Sequence, residues 1–265
     1  MFLIISTHTV IERRIGAGSP MGRLIQKTGV TILVAACLHV ASYISSALPS
    51  IGQNAPASNA IRCQGSAING RGVCIYPNGD AYRGQFRNGL PNGIGVFIYR
   101  DGNRYQGQFR NGIPSGRGEY IFKNDQRYQG QFSNGKFNGT GLFIFPNRDR
   151  YFGQFTNGQF NGIGTFTYAN GSRYRGRFVF GRILGGGVFT NRNGVRCQGE
   201  FFNNQLDGRA RCTDAAGNRY QGELRNGRPH GRGTLVYSNG RRFVGLFRNG
   251  RPLPAGQSLT TAPID

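Results

Sequence analysis

The sequence predicts an all-β protein: an elongated, single-layer, twisted antiparallel meander of about 17 short strands, built from β-hairpin repeats. Three observations support this fold class. Tyr, Gly and Phe recur together with a period of 23 residues. Asn-Gly and Asp-Gly dipeptides, which tolerate the positive φ of hairpin turns, separate the predicted strands. The chain contains 44 Gly, 20 Phe and 12 Tyr, and no helical periodicity follows the first 47 residues.

The N-terminal region, residues 1–47, is predicted to be a helical export signal. Arg13 to Lys27 supply basic charge, an apolar run spans 30–44, and small residues precede a cleavage site after Ala47. This order is typical of a secretory signal peptide. Translation starting at Met21 is an alternative, because the first 20 residues contribute little to a signal.

Two alternatives to cleavage remain open from the sequence. The apolar run could stay as an uncleaved membrane anchor, although it is short for a bilayer span. Cys37 could be lipidated, because residues 34–37 resemble a lipobox. The remaining boundaries are predicted as a linker over 48–61, a repeat domain over 62–250 and a tail over 251–265.

The first full repeat shows how each unit is expected to fold. Tyr82, Gly84 and Phe86 share one face of a strand, because side chains alternate along a strand, and Gly93 and Gly95 begin the return strand after a six-residue loop. We expect Phe86 to lie opposite Gly93, Gly84 opposite Gly95, and Tyr82 opposite the Phe two positions after Gly95. Each Phe ring would then cover a cross-strand glycine. The Tyr column continues at Tyr105, Tyr128, Tyr151, Tyr174 and Tyr220.

The pattern Tyr-x-Gly-x-Phe-x-x-Gly-x-x-x-Gly-x-Gly resembles the MORN (membrane occupation and recognition nexus) repeat, over about 187 residues. With the signal segment it suggests a bacterial-type exported form. The resemblance implies a scaffolding or membrane-associated module, with lipid binding and dimerisation both proposed within the family. Weaker regularity is expected over 180–217, where Phe180 replaces a turn Asn and Ala210 replaces the second Gly.

Four cysteines follow the signal segment, and their columns predict two disulfides. Cys197 stands in the Tyr82 column and Cys212 in the facing Phe column, so the register places them opposite each other. Cys63 and Cys74 occupy the same two columns in the shortened first repeat. Opposed strand residues are close enough for a disulfide. Bridges Cys63–Cys74 and Cys197–Cys212 require an oxidising compartment, which agrees with an exported periplasmic or extracellular protein.

A row of arginines is the candidate binding feature. The net charge is +22, and Arg precedes nearly every residue of the Tyr column. One interpretation is structural: Arg stems cover apolar surface and oppose aggregation. The other is a row of guanidiniums, about 10 Å apart, that binds a repeating anion such as membrane headgroups or an acidic envelope polymer. The row comprises Arg104, Arg127, Arg150, Arg173, Arg196, Arg219 and Arg242.

No catalytic, cofactor or metal site is predicted, and the chain is expected to be non-enzymatic. His230 occupies a turn position, and the carboxylates are scattered, mostly in turns. In MORN proteins that are enzymes, such as lipid kinases and a lysine methyltransferase, a separate domain carries the chemistry. The alternative function is a protein–protein assembly platform of the cell envelope, with a homodimer as one form. Nucleic-acid binding is the weakest alternative, because the aromatic residues are needed for the fold.

Overall fold

The computed structural model describes residues 61–202 and 204–254. The predicted signal helix and most of the predicted linker and tail lie outside these residues. The described part of the chain forms one antiparallel sheet of 18 strands, one more than predicted. It contains no helix, so none in this part is long and apolar enough to cross a membrane.

The first hairpin, β1–β2, is short. From β3 to β17, a seven-residue strand before each hairpin turn alternates with a nine-residue strand after it. The extra strand is the two-residue β18, which pairs with β17. The strands are β1 (Arg62–Gly65), β2 (Gly70–Ile75), β3 (Ala81–Arg87), β4 (Leu90–Ile98), β5 (Arg104–Arg110), β6 (Ile113–Ile121), β7 (Arg127–Ser133), β8 (Lys136–Ile144), β9 (Arg150–Thr156), β10 (Gln159–Thr167), β11 (Arg173–Val179), β12 (Arg182–Thr190), β13 (Arg196–Phe202), β14 (Gln205–Thr213), β15 (Arg219–Arg225), β16 (Arg228–Val236), β17 (Arg242–Arg248) and β18 (Arg251–Pro252).

The turn inside each full repeat contains two residues, so the predicted six-residue loop is wrong. Asn88 and Gly89 connect β3 to β4 with φ of 50° and 75°. Two consecutive positive φ values define the turn that matches the natural twist of a hairpin, which explains the recurring Asn-Gly. Because the strands extend to this turn, Phe86 lies opposite Pro91 rather than Gly93.

The rest of the predicted register is confirmed. Gly84 lies opposite Gly95, and Tyr82 lies opposite Phe97. The register shifts between Gly84 and Phe86, which marks a bulge in the hairpin. Gly93 instead lies opposite Phe109 of the next repeat, so the Phe and Gly columns pair between repeats rather than within one.

A glutamine side chain stabilises each regular bulge. Gln85 Oε1 accepts a hydrogen bond from the Ile94 backbone N–H at 2.7 Å, and Gln108, Gln131 and Gln154 make the equivalent bond. Gly93 has φ of 90°, and the Gln85 side chain occupies the place that a Cβ there would take. This glycine is therefore required by both the backbone conformation and the glutamine.

The tyrosine ring, not the phenylalanine ring, covers the two facing glycines of each regular hairpin, and we call this ring with its two glycines the tyrosine platform. A Cβ on Gly95 would lie 2.5 Å from the Tyr82 ring, and the Tyr82 hydroxyl donates to the Gln85 carbonyl oxygen at 2.9 Å. Phe86 and Phe109 pack edge-on against this ring, with centroids 4.9 and 5.0 Å away. Repetition of this contact along the sheet forms an aromatic ladder that buries its own rings.

Burial of the tyrosines predicts a loss of stability at alkaline pH. Desolvation raises the pKa of Tyr82 to about 12, and it also raises the pKa of Tyr105, Tyr128 and Tyr151. An unfolded tyrosine loses its proton near pH 10, so the unfolded chain binds fewer protons than the folded chain above that pH. Stability should be complete below pH 10 and fall as pH rises toward 12. Urea midpoints measured across this range, alongside tyrosinate absorbance, would contradict this if folded tyrosines ionised near pH 10.

The irregular segment 180–217 keeps the strand pattern of the other repeats. Strands β11 to β14 have the usual lengths of seven and nine residues, so the strand lengths show no irregularity here. The differences are in side chains. Ala210 replaces a glycine of the tyrosine platform, and a Cβ on Gly185 or Gly208 would meet nothing within 4 Å, because no glutamine fills these two bulges.

Both predicted cysteine pairs are confirmed. Cys63 lies opposite Cys74 with a Cα–Cα distance of 4.1 Å, and Cys197 lies opposite Cys212 at 4.0 Å. Each pair forms a disulfide. Such bonds persist in oxidising compartments, which indicates an exported location.

Candidate anion-binding surface

The sheet has two chemically different faces. The aromatic ladder lies on one, and we call the other the polar face. Burial alternates along β5, where Tyr105 and Phe109 are buried while Arg104 is exposed. All seven arginines of the predicted row are exposed in the same way, at the first position of each odd strand from β5 to β17.

Uncharged residues separate the row arginines. Arg104 lies opposite Ile98 on one neighbouring strand and Ile121 on the other. The intervening position is Ile up to Ile144 and then Thr or Val: Thr167, Thr190, Thr213 and Val236. Successive guanidiniums are thus two strands apart, or about 10 Å, and no row position directly beside them carries a negative charge.

Few protein groups neutralise the row. Arg127 Nη1 lies 3.3 Å from Glu119 Oε1, and Arg104 Nη2 donates to Gln106 Oε1 at 2.8 Å. Among the described residues, the Arg127–Glu119 pair is the only ion pair that a row arginine makes. Exposed ion pairs are weak, so even Arg127 retains donors for another anion.

Carboxylates in the turns between repeats have a structural role. Two of them bind backbone N–H groups of the next turn. Asp80 Oδ1 accepts from the Arg100 N–H at 2.8 Å, and Asp149 Oδ1 accepts from the Ala169 N–H at 2.7 Å. These bonds connect successive turns. No group of His, Cys, Asp and Glu in residues 61–202 and 204–254 could hold a metal ion.

A basic groove on the polar face lies outside the predicted row, apart from Arg242. It is an open cavity of about 750 Å³ over β13 to β17. Glu223 lies opposite Arg209 in the ladder, yet its carboxylate is directed at Gly231 rather than at a guanidinium. The groove is lined by Arg209, Arg211, Arg232, Arg242, Gln198, Gln221, Glu223 and Thr234.

A second groove over the N-terminal half is less basic. It has about 580 Å³ and is lined by Arg117, Glu119, Gln106, Gln129 and Thr140, among others. Its arginine and glutamate offset each other, so this groove carries less net positive charge than the groove over β13 to β17. The repeat positions of the groove residues Arg209, Arg211 and Arg232 are visible in the sequence, but their grouping around one cavity depends on the sheet's shape.

The fold and its surface define a repeat scaffold: hairpin units in a single sheet that display a periodic basic face. The MORN repeat family model matches residues 66–81, 82–104, 105–127, 128–150, 151–173, 197–219 and 220–241, more than half of the chain. The chain belongs to the MORN repeat family. Residues 174–196 are not among the matched segments.

No curated protein matches the sequence. Among solved structures, the TCP domain of SAS-4 from Drosophila melanogaster, in complex with a proline-rich motif of Ana2, is 14% identical with a TM-score of 0.40, covering 76% of this chain and 100% of that one. The TCP10 domain of CPAP from Danio rerio is 16% identical with a TM-score of 0.45, covering 71% and 90%. Likeness at this level carries no functional implication.

Proposed function

We propose that this protein is an exported, non-enzymatic scaffold whose arginine row binds anionic surfaces. The observation that carries the proposal is the set of seven exposed guanidiniums at regular spacing, of which only Arg127 makes an ion pair among the described residues. The two disulfides support an oxidising location.

The chemistry of the row favours phosphate or carboxylate groups. A guanidinium presents a planar fork of donors that fits both oxyanions, and it stays charged at any physiological pH. A single exposed Arg binds weakly, but a row engages a repeating anion at many points, so affinity rises through effective concentration. Membrane headgroups and an acidic envelope polymer both present such a repeat. The basic groove over β13 to β17 supplies further Arg beside the row.

Replacement of three adjacent row residues tests the proposal. Arg150, Arg173 and Arg196 make no ion pair among the described residues, so their change to Gln removes charge without freeing a carboxylate. We expect at least tenfold weaker binding to the anionic partner and a shallower dependence on salt, because fewer counterions are released or displaced. Sedimentation with phosphatidylglycerol vesicles and with an acidic polysaccharide would identify which partner the row binds.

The matched control changes the same number of charges at neighbouring positions outside the row. Lys123, Arg148 and Arg192 are exposed residues of the turns between repeats. Their change to Gln lowers the net charge equally, and binding should fall much less. Equal losses from both triple variants would show that net charge alone, rather than the row, is responsible.

A protein partner is the second candidate, favoured by the edge of the sheet. The strand β1 pairs only with β2 among the described residues, and all four of its residues are exposed. Its free backbone groups can accept an added strand from another protein or from a second copy. A pull-down with a variant carrying Ile61→Pro, which removes a backbone donor on the outer side of the chain next to β1, would lose such a partner while anion binding persists.

A further inference from the structure

One turn departs from the others in the residue that occupies its first position. The first turn position is Asn in the other described hairpins with a two-residue turn, at Asn88, Asn111, Asn134, Asn157, Asn226 and Asn249. Phe180 stands there instead, with φ of 47°. Asn adopts this left-handed conformation readily, whereas a bulky residue does so at a cost. The Phe180 side chain is also 72% exposed, so burial does not offset the strain.

Two further apolar side chains lie at the same edge. The ladder pairs Gly185 with Phe201, so its extension by one residue places Leu184 opposite Phe202. Leu184 is 38% exposed and Phe202 is 61% exposed. Equivalent positions elsewhere are mostly polar, as with Asn92 and Arg110. We call Phe180, Leu184 and Phe202 the apolar cluster.

The edge around the apolar cluster is strongly basic. It consists of the turns inside the repeats, and their flanking residues carry many cations. Asp207, a carboxylate at this edge, accepts a hydrogen bond from the Asn226 N–H at 2.6 Å. A second copy docked edge to edge would bring like charges together, which disfavours that contact. The basic residues that flank the turns are Arg87, Arg110, Lys136, Arg182, Arg225, Arg228, Arg248 and Arg251.

We propose that the apolar cluster inserts into the interfacial layer of an anionic lipid bilayer. Exposed Phe and Leu beside Lys and Arg form the combination that partitions into this layer: the rings enter the acyl boundary and the cations contact the headgroups. Phe180 and Phe202 lie in or next to neighbouring hairpin turns, and both side chains are largely exposed at this edge. Such protruding rings suit a deformable partner. The strain at Phe180 is then offset by burial in lipid.

This contact is distinct from binding by the arginine row. The row begins each odd strand and the apolar cluster lies at the opposite ends, so a seven-residue strand separates them by about 20 Å. A protein held at its turn edge therefore keeps the row free for a second anionic partner. The two edges together would connect a bilayer to an acidic polymer.

Tryptophan fluorescence gives a direct test, because the chain contains no Trp. In the full chain, the Phe180→Trp variant should show a blue shift of its emission on vesicles of equal parts phosphatidylglycerol and phosphatidylcholine. Phe152 is similarly exposed, at 59%, but lies in the middle of the polar face, so Phe152→Trp should show no shift. The absence of a shift for Phe180→Trp, or an equal shift in both variants, would overturn the proposal.

Reversion to the usual repeat residues separates insertion from electrostatics. Phe180→Asn with Phe202→Arg raises the net charge by one and relieves the strained turn, so the variant should be at least as stable as the parent. Insertion predicts about tenfold or greater loss of vesicle binding, since two buried rings are removed, whereas pure charge attraction predicts a gain. Phe152→Gln, which introduces the Gln of the two preceding repeats, should bind as the parent does.

The outcomes distinguish this proposal from the function proposed for the row. Unchanged or stronger vesicle binding by the reverted variant refutes insertion, even if the row variants show weaker anion binding. A lower affinity of the reverted variant, with unchanged binding of an acidic polysaccharide, supports insertion at the turn edge. This result would stand whether or not the row binds the polymer.

Discussion

The Gly141→Ala variant should be less stable than the parent by about 3 kcal/mol, the upper end for an overpacked core. A Cβ at this position would lie 2.5 Å from Cε2 of Tyr128 and 2.6 Å from its hydroxyl oxygen. The ring cannot move away, because its hydroxyl donates to the Gln131 carbonyl at 2.8 Å and Phe137 stacks on it at 3.8 Å. Urea denaturation followed by far-ultraviolet circular dichroism would measure the loss.

Gly186→Ala is the matched control, because it makes the same chemical change on the polar face. The nearest atom to its added Cβ is Glu200 Oε1 at 3.6 Å, an ordinary contact, and its φ is not in the left-handed region. Equivalent positions in other repeats carry side chains, such as Thr140 and Arg209. We expect equal or slightly higher stability, since Ala restricts the unfolded chain. Similar losses in both variants would contradict a specific role for the tyrosine platform.

Much of the architecture could be predicted because the same strand pairing recurs in every repeat. The pairing of Tyr82 with Phe97 follows from strand alternation and is repeated in every hairpin, so one register explains all. The same columns brought Cys197 opposite Cys212. Two cysteines that replace an aromatic pair together are a strong indication of contact, because each substitution alone would leave a thiol against a ring.

The bulge could not be located from hydrophobic alternation alone. A bulge adds one residue to one strand, so the Phe86 register depends on where that residue lies. The sequence does contain a signal: Gln85 precedes Gly93 by eight residues, and the same spacing recurs at Gln108, Gln131 and Gln154. Strand alternation alone does not indicate that the Gln85 side chain binds the backbone N–H next to the bulge glycine.

The arginine row follows from local alternation, whereas the groove and the apolar cluster do not. Arg104 and its equivalents are one residue from the tyrosine column, which is sufficient to predict their face. The grouping of the groove arginines depends on the sheet's shape, and the direction of the Glu223 carboxylate toward Gly231 is not specified by the sequence. The replacement of Asn by Phe180 was visible as an irregularity, but its exposure became evident only in the fold.

In the Cys197–Cys212 hairpin, we expect the Ala210→Gly substitution to destabilise the parent but to stabilise a variant in which Tyr and Phe replace the two cysteines. Ala210 is 5% exposed and lies opposite Gly199, where other hairpins have two glycines beneath a tyrosine ring. A Cβ on Gly199 would lie 2.7 Å from the Ala210 Cβ. The Ala210 methyl thus occupies the space that a tyrosine ring fills in other hairpins. The disulfide does not need this space, whereas a tyrosine would.

Cys197→Tyr with Cys212→Phe should therefore be unfavourable by roughly 4 kcal/mol or more. It removes a disulfide that closes a loop of 15 residues, worth about 3 kcal/mol, and it forces a ring against the Ala210 methyl. Adding Ala210→Gly should restore about 2 kcal/mol by opening the platform. In the parent, Ala210→Gly alone should instead destabilise by about 1 kcal/mol, through a lost methyl and added backbone freedom.

Urea midpoints of the four proteins would complete this thermodynamic cycle, under oxidising and reducing conditions. Reduction should lower the midpoint of the parent more than that of the Tyr–Gly–Phe variant, which keeps only the Cys63–Cys74 disulfide. If Ala210→Gly destabilised both backgrounds equally, the alanine would not compete with a ring, and the tyrosine platform would not explain why this hairpin carries cysteines and an alanine together.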